Sequence, residues 1–347
     1  MCIAVLAIDH SRRFPLVLVS NRDEFFDRPA TRMGWWMPPA SEIEVLSGRD
    51  QSSGGTWLGL SSAGRLALLT NVRDPSRHED RAPSRGRLVP EWLTTDGPPD
   101  RFWVRSALRG HNGFNLIAAD FARGDCWWMS NHARSPVRLE RGLFGLSNGG
   151  LDEPWPKVSR LRAQVDAAVA TATAEAVGSV ATARPAADAL AQQLLALLAD
   201  RQAAPDAQLP STGVPLALER ELSSIFVRTA DGRYGTRCST VLITERVGRH
   251  LLTQVYERSH PAGPGLALMR RATLKDWPPR YQTEPVLVET RPRAHRGSLD
   301  SPVRDEALDE RDSAETAAAP AARVVMPRVR GLLKPARPKA PTDSSRR

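Results

Sequence analysis

Two pairs of apolar runs, each pair joined by a short polar connector, lie in the first 71 residues, and this spacing constrains the fold more than any other feature. "CIAVLAI" and "PLVLVS" flank "DHSRRF", as two antiparallel strands joined by a turn would. "TWLGL" and "RLALLTN" flank "SSAG", a second hairpin with Gly64 in its turn. Between the hairpins, "RPATRMGWWMPPASEIEV" is rich in Pro and turn residues and is expected to wrap the surface. "SRGRLVPEWL" opens a helix, with Leu88, Val89, Trp92 and Leu93 at helical spacing and Pro90 tolerable in a first turn.

Strand patterns resume in "GFNLIAAD", "CWWMSN" and "GLFGLSN". Residues 157–203 are Ala-rich and helical in period, with Leu190, Leu194, Leu197 and Leu198 on one face. "SSIFV", "STVLIT" and "HLLTQVYE" then read as strands. Antiparallel runs separated by two helical blocks give an α+β protein whose helices cover antiparallel sheets. The expected organisation is one domain over residues 1–285, then a disordered basic Pro/Ala/Arg-rich tail over 286–347.

Charge and cysteine usage exclude several classes. The net charge of +9 is concentrated late: from Arg291 onward there are 13 Lys and Arg against 8 Asp and Glu. That places the excess on a solvated appendage, so a nucleic-acid partner is not expected. No apolar run approaches the ~20 residues of a membrane span, and the start reads as a strand, not a signal peptide. Three cysteines without CxxC spacing, Cys2, Cys126 and Cys238, argue against a disulfide scaffold or a zinc site. They suit a reducing cytoplasm, with Cys126 and Cys238 as core thiols. His10, His78, His111 and His132 lack ligand spacing, so no metal is expected.

Two features could carry chemistry. Cys2 would become the terminal residue if Met1 were trimmed, placing a thiol and a free α-amine on one carbon. An α-amine has a pKa near ~7.7–8.0, so it can take the thiol proton directly or through one water. The second feature is "SNRDEFFDRP", where Asn21, Arg22, Asp23 and Glu24 follow the second strand. A hairpin returns this stretch to the side of Cys2. Each feature has a structural alternative: Cys2 as packing, and the tetrapeptide as a charged turn. Gly54 and Gly55 suit a tight turn and Trp57 suits the core. In each of "WW" 35–36 and "WW" 127–128 the two rings must face opposite ways.

"MCIAVLA", "NRDEFFDRP", "GGTWLGL", "LLTNVRD", "GFNLI", "GLSNGGLDEPWPKV" and "YGTRCSTVLI" together resemble the NRDE family, also called the transport and Golgi organisation protein 2 family. The resemblance implies a four-layer αββα sandwich of the N-terminal-nucleophile hydrolase type, two stacked antiparallel sheets covered by helices. It extends remotely to cholylglycine hydrolases and penicillin V acylases, which also use an N-terminal Cys. On that pattern Cys2 matches the nucleophile and Asp23 the acid that holds the amine. Asn71 matches an oxyanion donor, Asn148 a second orienting asparagine, and Arg237 an arginine that ties the site together. Ser20 stands where those acylases carry another arginine, with Arg22 two places on. Asn21, Arg22, Glu24 and Trp57 are the expected substrate-binding residues.

Two functions follow as expectations. The first is a Cys2-dependent amidohydrolase or acyl-transfer enzyme acting on a small acyl or amide substrate without a cofactor. The second is a non-catalytic protein on the same scaffold that carries haem, lipid or acyl-CoA, which the family resemblance implies through its links to haem movement.

Overall fold

In the computed structural model, residues 2–175, 186–263 and 265–279 are described. The tail expected over 286–347 lies outside them. The chain opens with β1 (Cys2–Ile8) and β2 (Leu16–Phe25), followed by β3 (Ala30–Trp36), β4 (Val45–Asp50), β5 (Leu58–Ser61) and β6 (Arg65–Asn71). Helices α1 (Leu88–Thr94) and α2 (Pro99–Ala107) precede β7 (Phe114–Asp120), β8 (Asp125–Ser130), β9 (Val137–Arg138) and β10 (Gly142–Leu146). Then come α3 (Pro156–Glu175), α4 (Ala186–Leu197) and α5 (Leu216–Glu221). The described part closes with β11 (Tyr234–Val247), β12 (His250–Ser259) and β13 (Leu268–Lys275).

The strands form two antiparallel sheets: six strands in the order β10-β1-β2-β11-β12-β13, and seven in chain order from β3 to β9. Side-chain alternation then sorts each strand's residues between two faces. Ala4, Leu6, Ile8, Leu16 and Leu18 of the first sheet meet Leu46, Leu60, Leu66, Leu68 and Ile117 of the second in one core. The opposite face of the first sheet, including Ile3, Val5, Val17, Val19 and Val241, packs on α3 and α4 through Leu161, Val165, Leu190 and Leu194. The outer face of the second sheet, including Ala67, Leu69, Leu116 and Met129, packs on α1 and α2 through Val89, Trp92, Leu93 and Phe102. Three apolar layers between four structural layers define an αββα sandwich, as the resemblance implied. Each fully buried Leu, Val or Phe contributes about 1.5–3 kcal/mol, so the strands' period-two patterning fixes the register.

Both predicted hairpins form, and Gly64 turns the second with φ +88. The WW pairs split as alternation requires: Trp35 is exposed while Trp128 is buried between the sheets. Two readings need correction. The segment expected to wrap the surface contributes β3 and the start of β4, with Trp35 opposite Leu46 and Trp36 opposite Val45. Its apolar content escaped the pattern because β3 is an edge strand with one buried side chain, Met33. "SSIFV" is not a strand. Its N–H groups bond outside any ladder, Phe226 to the Asp200 carbonyl at 2.7 Å and Val227 to the Thr236 hydroxyl at 2.9 Å.

Candidate functional site

Strand register, not loop geometry, builds the site. On β1 and β2 Cys2 sits opposite Arg22, and on β2 and β11 Arg22 sits opposite Cys238. Cys238 in turn pairs with Ser259, and Ser259 with Leu268. Cys2, Arg22, Cys238, Ser259 and Leu268 therefore form one row across five strands, on the face turned toward the other sheet. Two cavities lie along this row. A chamber of about 280 Å³ holds Cys2, and another of about 330 Å³ holds Cys238. Arg22 and Trp57 line both, and the guanidinium stacks on the indole at 4.2 Å.

The Cys2 chamber also contains Asp23, Glu24, Arg28, Asp50, Asn71 and Arg85. Asp50 is its electrostatic anchor. It accepts from Arg28 Nε at 2.6 Å, from Arg22 Nη2 at 3.4 Å, and from the backbone N–H groups of Ser52 and Ser53 at 3.0 and 3.1 Å. Burial alone would raise its pKa, but the Arg28 bond, the Ser53 N–H and the two guanidinium charges outweigh that and hold it below the usual carboxylate range. Glu24 completes the set, 3.6 Å from Arg22 and 3.8 Å from Arg28. One chamber wall is a backbone contact: Thr56 N–H donates to the Gly86 carbonyl at 3.0 Å, and a Cβ on Gly55 would fall 2.3 Å from that carbonyl group. Gly55 is therefore required by close approach, and Gly54 by its φ of +71.

Cys2 is 8% exposed, and burial raises its thiol pKa, opposed by the N-terminal ammonium and by Arg22. A backbone hydrogen bond from Asp23 also favours the thiolate. The Asp23 side chain accepts from Thr236 Oγ1 at 2.7 Å, and its carbonyl accepts from the Tyr234 hydroxyl at 2.8 Å. Burial raises the Asp23 pKa against the nearby Lys157 and N-terminal cations. Lys157, in the first turn of α3, is fully buried. Its ammonium donates to the Leu222 carbonyl at 2.9 Å, and burial lowers its pKa to about 8 although Asp23 pulls the other way. Arg73 and Glu219 add a buried ion pair to the same charge cluster.

The expected site residues separate into three groups. Cys2, Asp23 and Asn71 line one chamber with Arg22, Glu24 and Trp57. Asn148 lies behind it. Its Nδ2 donates to the Asn71 carbonyl at 2.8 Å, its own carbonyl accepts from Arg73 N–H at 2.8 Å, and it lines a different cavity. The neighbouring Ser147 hydroxyl donates to the Cys2 carbonyl at 2.9 Å, so the end of β10 holds both Cys2 and Asn71 in place. Arg237 and Asn21 lie elsewhere. Arg237 sits at the β11 irregularity between Thr236 and Cys238, donates to the carbonyls of Phe25 and Arg28 at 2.5 and 2.9 Å, and lines the Cys238 cavity. Asn21 points to the helix face of its sheet, because it alternates with Arg22. Its amide bonds the Leu198 and Ile225 carbonyls at 2.8 and 2.9 Å.

A model of the family described as Transport and Golgi organisation 2 matches residues 1–260. The chain belongs to the Transport and Golgi organisation 2 family. The "Transport and Golgi organization protein 2 homolog" of Bos taurus is 36% identical over 270 residues, covering 73% of this chain and 92% of that protein. The "Transport and Golgi organization 2 homolog" of Mus musculus is 33% identical over the same length and shares of each chain. The Drosophila melanogaster "Transport and Golgi organization protein 2" is 26% identical over 284 residues, covering 76% and 95%. Among solved structures, the Caenorhabditis elegans N-acylethanolamine-hydrolyzing acid amidase ortholog is similar at 10% identity and a TM-score of 0.36, covering 70% of this chain and 92% of that one.

Within this member of the Transport and Golgi organisation 2 family, sequence reasoning missed Arg28, Asp50, Arg85 and Lys157. Arg28 and Lys157 lie inside "NRDEFFDRP" and "PWPKV", motifs already singled out. Asp50 ends β4, so the rule that strand ends carry functional side chains could have found it. Arg85 carried no signal, since "SRGRL" reads only as a helix opening. Among the described residues no group of three or more His, Cys, Asp or Glu is arranged to hold a metal ion, and no helix is long and apolar enough to cross a membrane.

Proposed function

We propose that this protein is an N-terminal-nucleophile amidohydrolase or acyl-transfer enzyme that uses Cys2 after removal of Met1. The observation that carries this reading is the register: it sets Cys2 opposite Arg22, the neighbour in sequence of the buried Asp23, in a small polar chamber that Asn71 also lines. With Met1 removed, the Cys2 amine is the base. It accepts the thiol proton as Sγ attacks the substrate carbonyl, and later returns that proton to the leaving amine. Asp23 holds the ammonium form of that base. The Asn71 amide is the donor for the developing oxyanion, and Asn148 and Ser147 fix the strand ends from which Asn71 and Cys2 project. Water then hydrolyses the thioester, releasing the acid and restoring thiol and amine.

The chamber lining favours a polar substrate over a carried apolar ligand. Arg22, Glu24, Arg28, Asp50 and Arg85 ring it, and its apolar surface is limited to groups such as Trp57 and Leu69. Intact mass on purified protein, followed by turnover of an acyl and amide panel, tests the proposal. The expected outcome is loss of Met1 and turnover of at least one substrate that Cys2→Ala abolishes. Retained Met1, or equal background rates for wild type and Cys2→Ala on every substrate, would overturn it.

A further inference from the structure

The Cys238 chamber is built differently from the one beside it. Arg32 and Arg237 line it, and among the described residues neither forms an ion pair. Arg22 enters from the shared wall. Among the described residues the one carboxylate in the lining is Glu257, buried on β12, whose Oε1 accepts the Met33 N–H at 2.7 Å and whose pKa burial raises against the Met33 N–H and the nearby arginines. His260 accepts or donates with the Ser239 hydroxyl at 3.0 Å. Burial first, then Arg258, Arg201 and Arg228, depress its pKa to about 4, so it is neutral near pH 7. Burial also keeps the Cys238 thiol protonated. Among the described residues, three guanidinium groups and a single carboxylate thus line a volume of about 330 Å³. That is the size of a small-molecule pocket and too small for a macromolecular ligand.

We infer that this second chamber, lined by Arg22, Arg32 and Arg237, is an anion-binding site for the oxyacid head of a small molecule, a carboxylate or a phosphate ester. Guanidinium groups present paired N–H donors that match both head groups. Because Arg22 and Trp57 belong to both chambers, a ligand anchored there by its acid group would extend past the Arg22–Trp57 stack toward Cys2. Resting on the proposed hydrolase reading, this makes the substrate an acyl or amide compound with a remote anionic group. The binding itself requires neither turnover nor removal of Met1.

The test is calorimetric titration of the full chain with succinate, inorganic phosphate and neutral succinamide at low salt. Succinate or phosphate should bind saturably and succinamide should not, the stronger of the two anions identifying the head group. Arg32→Gln, an exposed position, should weaken anion binding about tenfold. Arg237→Gln should do the same, and near-UV circular dichroism will show whether it folds, since Arg237 also bonds two backbone carbonyls. Asn71→Ala, in the other chamber, should bind the anion like wild type. Absence of saturable binding by either anion, equal binding of succinamide, or wild-type affinity in Arg32→Gln overturns the inference. Anion binding without any turnover would sink the hydrolase reading alone, and turnover without anion binding would sink this one alone.

Discussion

The two chambers that share Arg22 differ in how their charges are balanced. Around Cys2, Arg22 and Arg28 are answered by Asp50 and Glu24, and Asp50 is further held by two backbone N–H groups. Around Cys238, Arg32 and Arg237 form no ion pair among the described residues, and the carboxylate in the lining is the buried Glu257. The difference separates two things that charge can do in a cavity. A balanced set of buried charges holds geometry, because each group is fixed by its partner. An unbalanced set leaves binding capacity for a ligand's charge. On this reading, substitutions in the first chamber should act on stability and those in the second on affinity.

The largest expected effect is therefore at Asp50. Asp50→Ala leaves the buried Arg22 with only Glu24, 3.6 Å away, strips Arg28 of its closest carboxylate and frees two N–H groups, and should cost about 3 kcal/mol. Urea denaturation measures it, with Arg32→Gln as the matched change across the stack, expected within about 0.5 kcal/mol of wild type. Equal costs at the two positions would erase the distinction between the chambers.

The next effect concerns the charge cluster beneath Cys2. Lys157 has its pKa lowered by burial to about 8 from an ordinary 10.5. Between those values the unfolded chain binds more protons than the folded one, so the Lys157 contribution to stability rises with pH across that window. Below about pH 8 the ammonium is charged in both states and the burial cost is fully present. The stability of wild type minus that of Lys157→Met should therefore increase from pH 8 to pH 10.5, by something on the order of 2 kcal/mol. A flat difference would mean that Asp23 and Glu219 stabilise the ammonium enough to offset its burial.

Gly55→Ala should follow, at about 1–2 kcal/mol, because its Cβ must displace the Gly86 carbonyl across the chamber wall. Gly124→Ala serves as the control. Gly124, unlike Gly55, sits at positive φ, +68, and nothing lies within 4 Å of its Cβ position. A smaller loss at Gly55 than at Gly124 would show that backbone conformation outweighs close approach in this wall.

How far the sequence revealed these chambers depends on the kind of interaction involved. Period-two runs disclosed β1, β2, β5 and β6, because each buries side chains in sequence-local alternation. The same logic put "NRDE" beside Cys2. It could not reveal β3, whose single buried side chain gives no alternation, nor the irregular course of "SSIFV", set by a carbonyl at Asp200 and a hydroxyl at Thr236. Register explains the misplaced Asn21 as well: alternation sends it away from Arg22, and the expectation treated the tetrapeptide as one surface. Arg237 was singled out only through the family resemblance, and its place in the second chamber stayed hidden because the β11 irregularity at that point is invisible in a single chain. Lys157 stayed hidden because nothing local distinguishes a buried lysine from a solvated one.

The smallest expected effect probes the second chamber from its far side. His260 has its pKa lowered to about 4 from an ordinary 6.5, by burial and then by the surrounding arginines. Between those values the unfolded chain binds the extra proton, so stability falls as pH drops from 6.5 to 4. The ring is partly exposed, so solvent screening limits the His260 share to a few tenths of a kcal/mol. His260→Gln should lose slightly less stability than wild type over that range, read as a difference in melting temperature at pH 6.5 and pH 4.5. Adding succinate or phosphate should narrow this gap in wild type, since a bound anion offsets the arginine field that disfavours protonation of His260. If the anion leaves the gap unchanged, the arginines around His260 do not share a field with the site, and the second chamber's cationic character belongs to Arg32 and Arg237 alone.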